Sequence, residues 1–333
     1  MEININMLRI PFPVSMNPFA QRAEALAKQW AIDFGLLNSP KAIKRFQAAN
    51  FSHLHGRSYP TGSLDGLRLG NEWGIWLFMH DDHCDEAQVG MDPVKLAEYH
   101  NSILDVIHHR KSLSSYEHGA LVHCLADIVR RGGKIGGADW IRRFLVTVQD
   151  YFDGCQWEAH NRATNRVPSV EEYILGRDKS SAVQSCIECG DLTADLLDLP
   201  DEIRYHKDVQ QLRLLTNRVV SWVNDMYSMD KEYKRDDIHN LVILLHHQYN
   251  ISLQEAMITA GDIVNQTVQD FILLEANLPS FGAKYDAILK RQCNEVLKSW
   301  MRGNLEWSKG TLRYHPNYAV PRGKAVDYIE DIL

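Results

Sequence analysis

The sequence predicts an all-α protein, and three observations carry that prediction. Apolar residues recur at three- and four-residue intervals over long stretches. Proline and glycine fall mainly at the edges of those stretches. Alternating, β-branched segments bounded by hairpin turns are absent. The pattern amounts to about a dozen helices. With no repeat period and no linker rich in Gly, Ser or Pro, residues 1–333 read as one domain.

Taken in order, Asn17-Pro18 looks like the first helix start. A strongly apolar helix covers Trp73 to Glu86, and periodic stretches follow over Leu96–Arg110 and Tyr116–Arg131. Arg131-Gly-Gly-Lys134 looks like a stop and a turn before Trp140–Arg162, and Ser169 looks like a helix cap. Ile203–Tyr233, Leu253–Leu274 and Ala283–Trp307 complete the set. Several of these helices are apolar over more than one stripe, so they surround either a second layer of core or a cavity.

Bulk properties narrow the function. The net charge of −7 offers no global basic field for nucleic acid. Six scattered cysteines suit a reducing compartment. The start has no basic region followed by an apolar core, and no apolar run approaches the roughly 20 residues of a membrane span, so the expected location is the cytoplasm.

Two oxygen-rich stretches carry the chemistry. The helix beginning at Trp73 ends in Asp81, Asp82, Asp85 and Glu86. Asp81 and Asp85 share a face, with Asp82 and Glu86 beside them, and like charges at that spacing destabilise a helix unless a cation neutralises them. Hard oxygen donors favour magnesium over zinc. The plain alternative, a solvated helix end, explains poorly why the acids directly follow Trp76, Leu77 and Phe78. The second stretch places Asn224, Ser228 and Glu232 at i, i+4 and i+8, a ladder of oxygen atoms along one face that could chelate a metal.

Asp81–Asp85 reads DDHCD, similar to the aspartate-rich motif of bacterial class I terpene synthases. Asn224–Glu232 reads NDMYSMDKE, which resembles that family's second metal motif, and Lys231 takes the usual place before the glutamate. The resemblance extends along nearly the whole chain, through Pro11–Pro18, Trp157–Arg162, Pro168–Arg177 and Trp307–Tyr314. It implies helices around a central apolar cavity and a cluster of about three Mg²⁺ between two facing helices. Asp81 would ligate directly with help from Asp85 or Glu86, Asp82 would pair with an arginine, and Asn224, Ser228 and Glu232 would hold metal opposite. Arg177, Lys231, Arg313 and Tyr314 match the diphosphate contacts, and Lys179–Ser181 fall where the family has its ionisation trigger. Phe78 and Trp307, with Leu77, Trp300 and Tyr59 as further candidates, would line the pocket that shelters the cation.

The implied reaction ionises a linear prenyl diphosphate, farnesyl diphosphate first and geranylgeranyl diphosphate next, and cyclises the cation to a hydrocarbon or alcohol. A homodimer is compatible with this reading; membrane and nucleic-acid partners are not expected. The alternatives are a prenyl diphosphate synthase, a histidine–aspartate metal phosphohydrolase using His53 or His55, and a non-catalytic helical interaction protein. His80 and Cys84 share a helix face and would suit a zinc site, but that reading leaves the Asn224–Glu232 ladder unused. Cys186-Ile-Glu-Cys189 lacks a second ligand pair and reads as two buried thiols near a helix break.

Overall fold

The computed structural model describes residues 7–86, 88–109 and 119–314, with the backbone alone at 41, 85, 86, 88, 89, 108 and 109. Among the described residues there is no β-strand. The first helices are α1 (Ala20–Asp33), α2 (Pro40–Ala49), α3 (Phe51–Ser58), α4 (Leu64–Glu86) and α5 (Pro93–His109). There follow α6 (Gly119–Thr164), α7 (Val170–Ser180), α8 (Val183–Thr193), α9 (Asp201–Arg204) and α10 (Lys207–Tyr233). The chain closes with α11 (Leu241–Tyr249), α12 (Leu253–Ala276), α13 (Ala283–Gln292) and α14 (Lys298–Ser308). No helix among the described residues is long and apolar enough to cross a membrane.

Several boundaries follow local rules. Ser169 caps α7 with a reciprocal pair to Glu172, as its position suggested. Asn17 stands just ahead of α1: its Oδ1 accepts from the Phe19 amide at 2.9 Å, while its Nδ2 donates to the carbonyls of Tyr59 and Gly62. α4 starts nine residues before Trp73, where Ser63 accepts from the Gly66 amide.

Three expectations need correction. The helix does not stop at Arg131–Lys134; α6 continues through those residues and breaks at Gly137, whose φ of +73° belongs to the region that glycine alone enters freely. Two adjacent glycines resemble a terminator in sequence, yet both keep helical backbone here. The Ile203–Tyr233 stretch divides at Tyr205–His206, and the His206 side chain caps α10. The stretch from Ala283 is continuous but passes through one wide π turn at Cys293–Leu297. Before that turn Leu289 joins a small satellite core with Leu199 and Val209; after it Trp300, Leu305 and Trp307 join the main core.

The helices pack in layers around a hollow. α4 lies against α1, α6 and α8, while α10 lies against α12 and α14, and α14 also packs on α3. Trp73, Trp76, Trp140 and Phe144 are fully buried in the main core. Trp73 stacks on Trp76 at 5.0 Å and meets Phe144 edge-on at 4.9 Å.

Candidate active site

A cavity of about 710 Å³, counting its open mouth, runs between α3, α4, α6, α7, α8, α10 and α14. Its walls include Leu77 and Phe78 from α4, Val220 from α10, and Trp300, Asn304 and Trp307 from α14. Phe78 stacks with Phe51 at 4.5 Å and lies 5.7 Å from Trp307, so the aromatics form a continuous wall. Tyr59 is not part of that lining. It stands behind the wall, with its hydroxyl donating to the Cys186 carbonyl at 2.9 Å.

The two oxygen-rich stretches converge on this cavity. Asp81 from α4, Arg177 from α7 and Asn224 from α10 line the same mouth. Asp85 and Glu86 end α4, but their side chains lie outside the described residues.

On the α10 side, Asn224 Oδ1 accepts from Arg177 at 3.2 Å and Asn224 Nδ2 donates to the Tyr314 hydroxyl at 2.6 Å. Ser228 Oγ, one turn on, donates to the Asn224 carbonyl at 2.9 Å. Glu232 Oε2 accepts from Asn240 Nδ2 at 2.7 Å. Burial raises the Glu232 carboxyl to about 7, Asp225 and Asp237 push it the same way, and Lys231 only partly offsets them. An amide oxygen, a hydroxyl and a buried carboxylate make a donor set that fits a hard divalent cation.

Asp225 was visible in the Asn-Asp pair but had been given no task. It is buried and accepts from Arg177 at 3.0 Å, from the Tyr173 hydroxyl and from the Leu241 amide at 3.1 Å. Burial opposes charge on Arg177, but Asp225 outweighs it and holds the guanidinium protonated. Arg177 is therefore a largely covered, oriented cation and not a surface ion pair. Asn240, which also donates to the Asp225 carbonyl at 2.8 Å, was likewise missed, although an asparagine before Leu-Val-Ile-Leu-Leu is a legible cap.

The C-terminal stretch spans both walls. Trp307 Nε1 and Thr311 Oγ1 both donate to the Ala49 carbonyl, at 2.8 and 2.9 Å, pinning the segment to the end of α2. Arg313 then forks onto the two Asp82 oxygens at 2.8 and 3.2 Å, reaches Asp81 at 3.5 Å and lies over the Phe78 ring at 4.6 Å. Burial opposes ionisation of Asp82, but Arg313 overrides it and holds that carboxyl well below the usual range. Arg45, Lys231 and Arg313 line a small open hollow beside Asp82.

Other candidates separate. Ser180 and Ser181 line the cavity, and Ser181 Oγ donates to Asn217 Oδ1 at 2.5 Å. Lys179 instead pairs with Asp150 and Asp153 at 3.3 and 3.5 Å on an exposed face. Cys186 and Cys189 are buried thiols just beyond the α7–α8 break. Buried His80, Cys84 and His100 do meet, but Cys84 Sγ lies 3.6 and 3.8 Å from the two His80 nitrogens, beside the ring and not on either lone pair. His80 Nε2 meets His100 Nε2 at 3.1 Å, and Tyr151 and Gln156 take the outer nitrogens at 2.9 and 3.3 Å. That is a satisfied hydrogen-bond chain bracing the back of α4.

Residues 72–270 match the family described as terpene synthase family 2, C-terminal metal binding. The germacrene A synthase of Nostoc punctiforme is 31% identical over 308 residues, covering 92% of this chain and 94% of its own. The 10-epi-cubebol synthase of Sorangium cellulosum is 33% identical over 313 residues, covering 92% and 97%. The linalool/nerolidol synthase structure from Streptomyces clavuligerus superposes with a TM-score of 0.79 at 20% identity, covering 90% of this chain and 99% of that one, which speaks to the fold. With its helical cavity, its facing oxygen clusters and these matches, the chain belongs to terpene synthase family 2, whose members are carbon–oxygen lyases acting on phosphates.

Proposed function

We propose that this chain is a Mg²⁺-dependent cyclase that ionises a linear prenyl diphosphate and folds the cation into a terpene hydrocarbon or alcohol. Farnesyl diphosphate is the first candidate substrate and geranylgeranyl diphosphate the next. The observation that carries this reading is the arrival of Asp81, Arg177 and Asn224 at the mouth of one aromatic-walled cavity.

Asp81, assisted by Asp85 or Glu86, would hold metal on the α4 side; Asn224, Ser228 and Glu232 would hold it on the α10 side. Mg²⁺ bound there supplies Lewis-acid stabilisation of the charge on the departing diphosphate. Arg177, Lys231, Arg313 and Tyr314 donate hydrogen bonds to that diphosphate, the arginines bidentately. Asp225 and Asp82 keep Arg177 and Arg313 aimed before substrate arrives, so little reorganisation is needed at ionisation. Phe78, Trp300 and Trp307 wall the hydrocarbon chamber and exclude water, and an aromatic face open to the cation stabilises positive charge by up to about 2 kcal/mol.

The phosphohydrolase alternative loses both of its histidines. His55 stands against Gly74, two helical turns from Asp81, and His53 is exposed on α3 outside the cavity lining.

The test incubates purified chain with farnesyl or geranylgeranyl diphosphate, with Mg²⁺ and with excess EDTA. Diphosphate release and gas chromatography–mass spectrometry are the readouts. The expected result is a cyclic product from at least one substrate that disappears with EDTA. Absence of diphosphate release from either substrate with Mg²⁺ present overturns the reading.

A further inference from the structure

The inner end of the cavity carries a basic group for which ionisation has no use. Gly74 stands seven residues before Asp81 on α4, and Trp300 stands seven before Trp307 on α14. Seven residues are two turns, about 10 Å of helix. The charged mouth and the floor formed by Gly74 and Trp300 are therefore well separated.

His55 closes that floor. It lines the cavity at 1% exposure, edge-on to Trp300 at 6.1 Å and stacked on Tyr59 at 6.2 Å. A Cβ at position 74 would come within 2.0 Å of His55 Nε2, so glycine there makes room for the ring. Nδ1 is buried and makes no hydrogen bond of good geometry, with the Phe51 carbonyl and the Asn71 side chain as the polar groups beside the ring. Burial pulls the imidazole down to about 4, so it is neutral and one ring nitrogen keeps an unshared pair.

The neighbours cannot take that part. The Tyr59 hydroxyl is committed to Cys186, burial pushes the Cys186 thiol up to about 12, and the Trp300 indole only donates. The diphosphate, itself a base, would be held at the mouth.

We infer that His55 is the base that ends the reaction, accepting the last proton at the floor of the cavity; this rests on the cyclase reading. In one form of the step, the C–H bond next to the cationic carbon breaks, its electron pair becomes the second bond of an alkene, and the proton passes to the imidazole. In the other, water oxygen bonds to the cationic carbon and the proton shed by that oxygen passes to the imidazole. Either way positive charge leaves carbon for the imidazolium, which returns its proton to solvent when the product departs. A buried imidazole of low basicity still accepts from a carbocation, which is a far stronger acid.

Two variants test this. His55→Phe keeps an aromatic ring without a base, and His55→Gln keeps a polar side chain without a basic nitrogen. Each is compared with wild type for diphosphate release, product profile and melting temperature, using the substrate the wild-type chain turns over, Mg²⁺ and ¹⁸O-labelled water. Diphosphate release should stay within about threefold of wild type, while the main product falls at least about tenfold in favour of products quenched elsewhere. Label in the main wild-type product identifies water as the proton source; no label identifies carbon. An unchanged profile in either folded variant overturns the proposal, as does loss of diphosphate release in both. If His55→Phe does not fold, His55→Gln decides. A wild-type chain that releases no diphosphate overturns the cyclase reading, and the proposal with it.

Discussion

Arg313 and Asp82, 231 residues apart in sequence, form a two-pronged pair with N···O distances of 2.8 and 3.2 Å, and the same guanidinium covers the Phe78 ring. The aspartate next to the expected metal ligand is thus an anchor for a cation. Replacing the planar fork by a point charge loses the second hydrogen bond and the stacking. Arg313→Lys should lower the diphosphate-release rate roughly a hundredfold while leaving the helical circular dichroism unchanged. A rate within about threefold of wild type would show that the fork is dispensable.

Asp225 and Arg177 make the second prepositioned pair, with the aspartate buried at 1% and the arginine side chain 16% exposed. Asp225→Asn removes the charge that holds Arg177 and weakens the acceptor for Tyr173 and Leu241. Breaking a buried pair by removing one partner typically costs about 3–5 kcal/mol. Urea unfolding should register that loss, and the folded fraction should still release diphosphate poorly because its arginine is no longer aimed. A variant as stable as wild type would refute the account.

Glu232 makes a prediction about pH. Its carboxyl stands at about 7 in the folded chain against 4.5 ordinarily, so the folded state binds the extra proton between those values. Stability from this group is therefore fully present below pH 4.5 and is lost as pH rises through 7. In EDTA at pH 8, Glu232→Gln should be more stable than wild type by about 1–3 kcal/mol, and saturating Mg²⁺ should reverse the order. Thermal melts of both chains across pH 5–8, with and without the ion, check the sign. A wild-type chain that gains stability over that window relative to Glu232→Gln would contradict it.

Ala182, at the break between α7 and α8, holds φ at +58°, a conformation that disfavours a Cβ by about 1–2 kcal/mol. Ala182→Gly should raise the urea midpoint, with a gain of about 0.5–1 kcal/mol after the entropy cost of glycine in the unfolded chain. A lowered midpoint would mean that the alanine methyl packs against the cavity wall more favourably than its backbone is strained.

Features that depend on spacing within one helix were legible in the sequence. Asp81 reaching the cavity mouth, and Asn224, Ser228 and Glu232 sharing a face, follow from 3.6 residues per turn. The helices themselves were legible because their apolar residues recur at that period. What needed coordinates were relations between segments. That Asp82 meets an arginine could be expected from the motif, but that the arginine is Arg313 depends on the chain returning over α2. Gly132 and Gly133 looked like a stop while Gly137 did not, because composition marks where a backbone can bend and packing decides where it does. Lys179 sits two residues from Arg177, and that spacing turns it toward α6 and the solvent. His55 stood out in sequence only as a metal-ligand candidate; nothing there pointed to a place on the cavity floor, since that environment is made by Gly74 and Trp300 on two other helices.

The wide turn at Cys293–Leu297 makes the long terminal rod sensitive to length. It accommodates one residue more than a regular helix would, and one residue corresponds to about 100° of rotation. Removing a single residue there would leave the rod helical while swinging Trp300, Asn304 and Trp307 off the substrate chamber. Changes of length within these five residues would thus rewrite the chamber's contour without touching any residue that lines it.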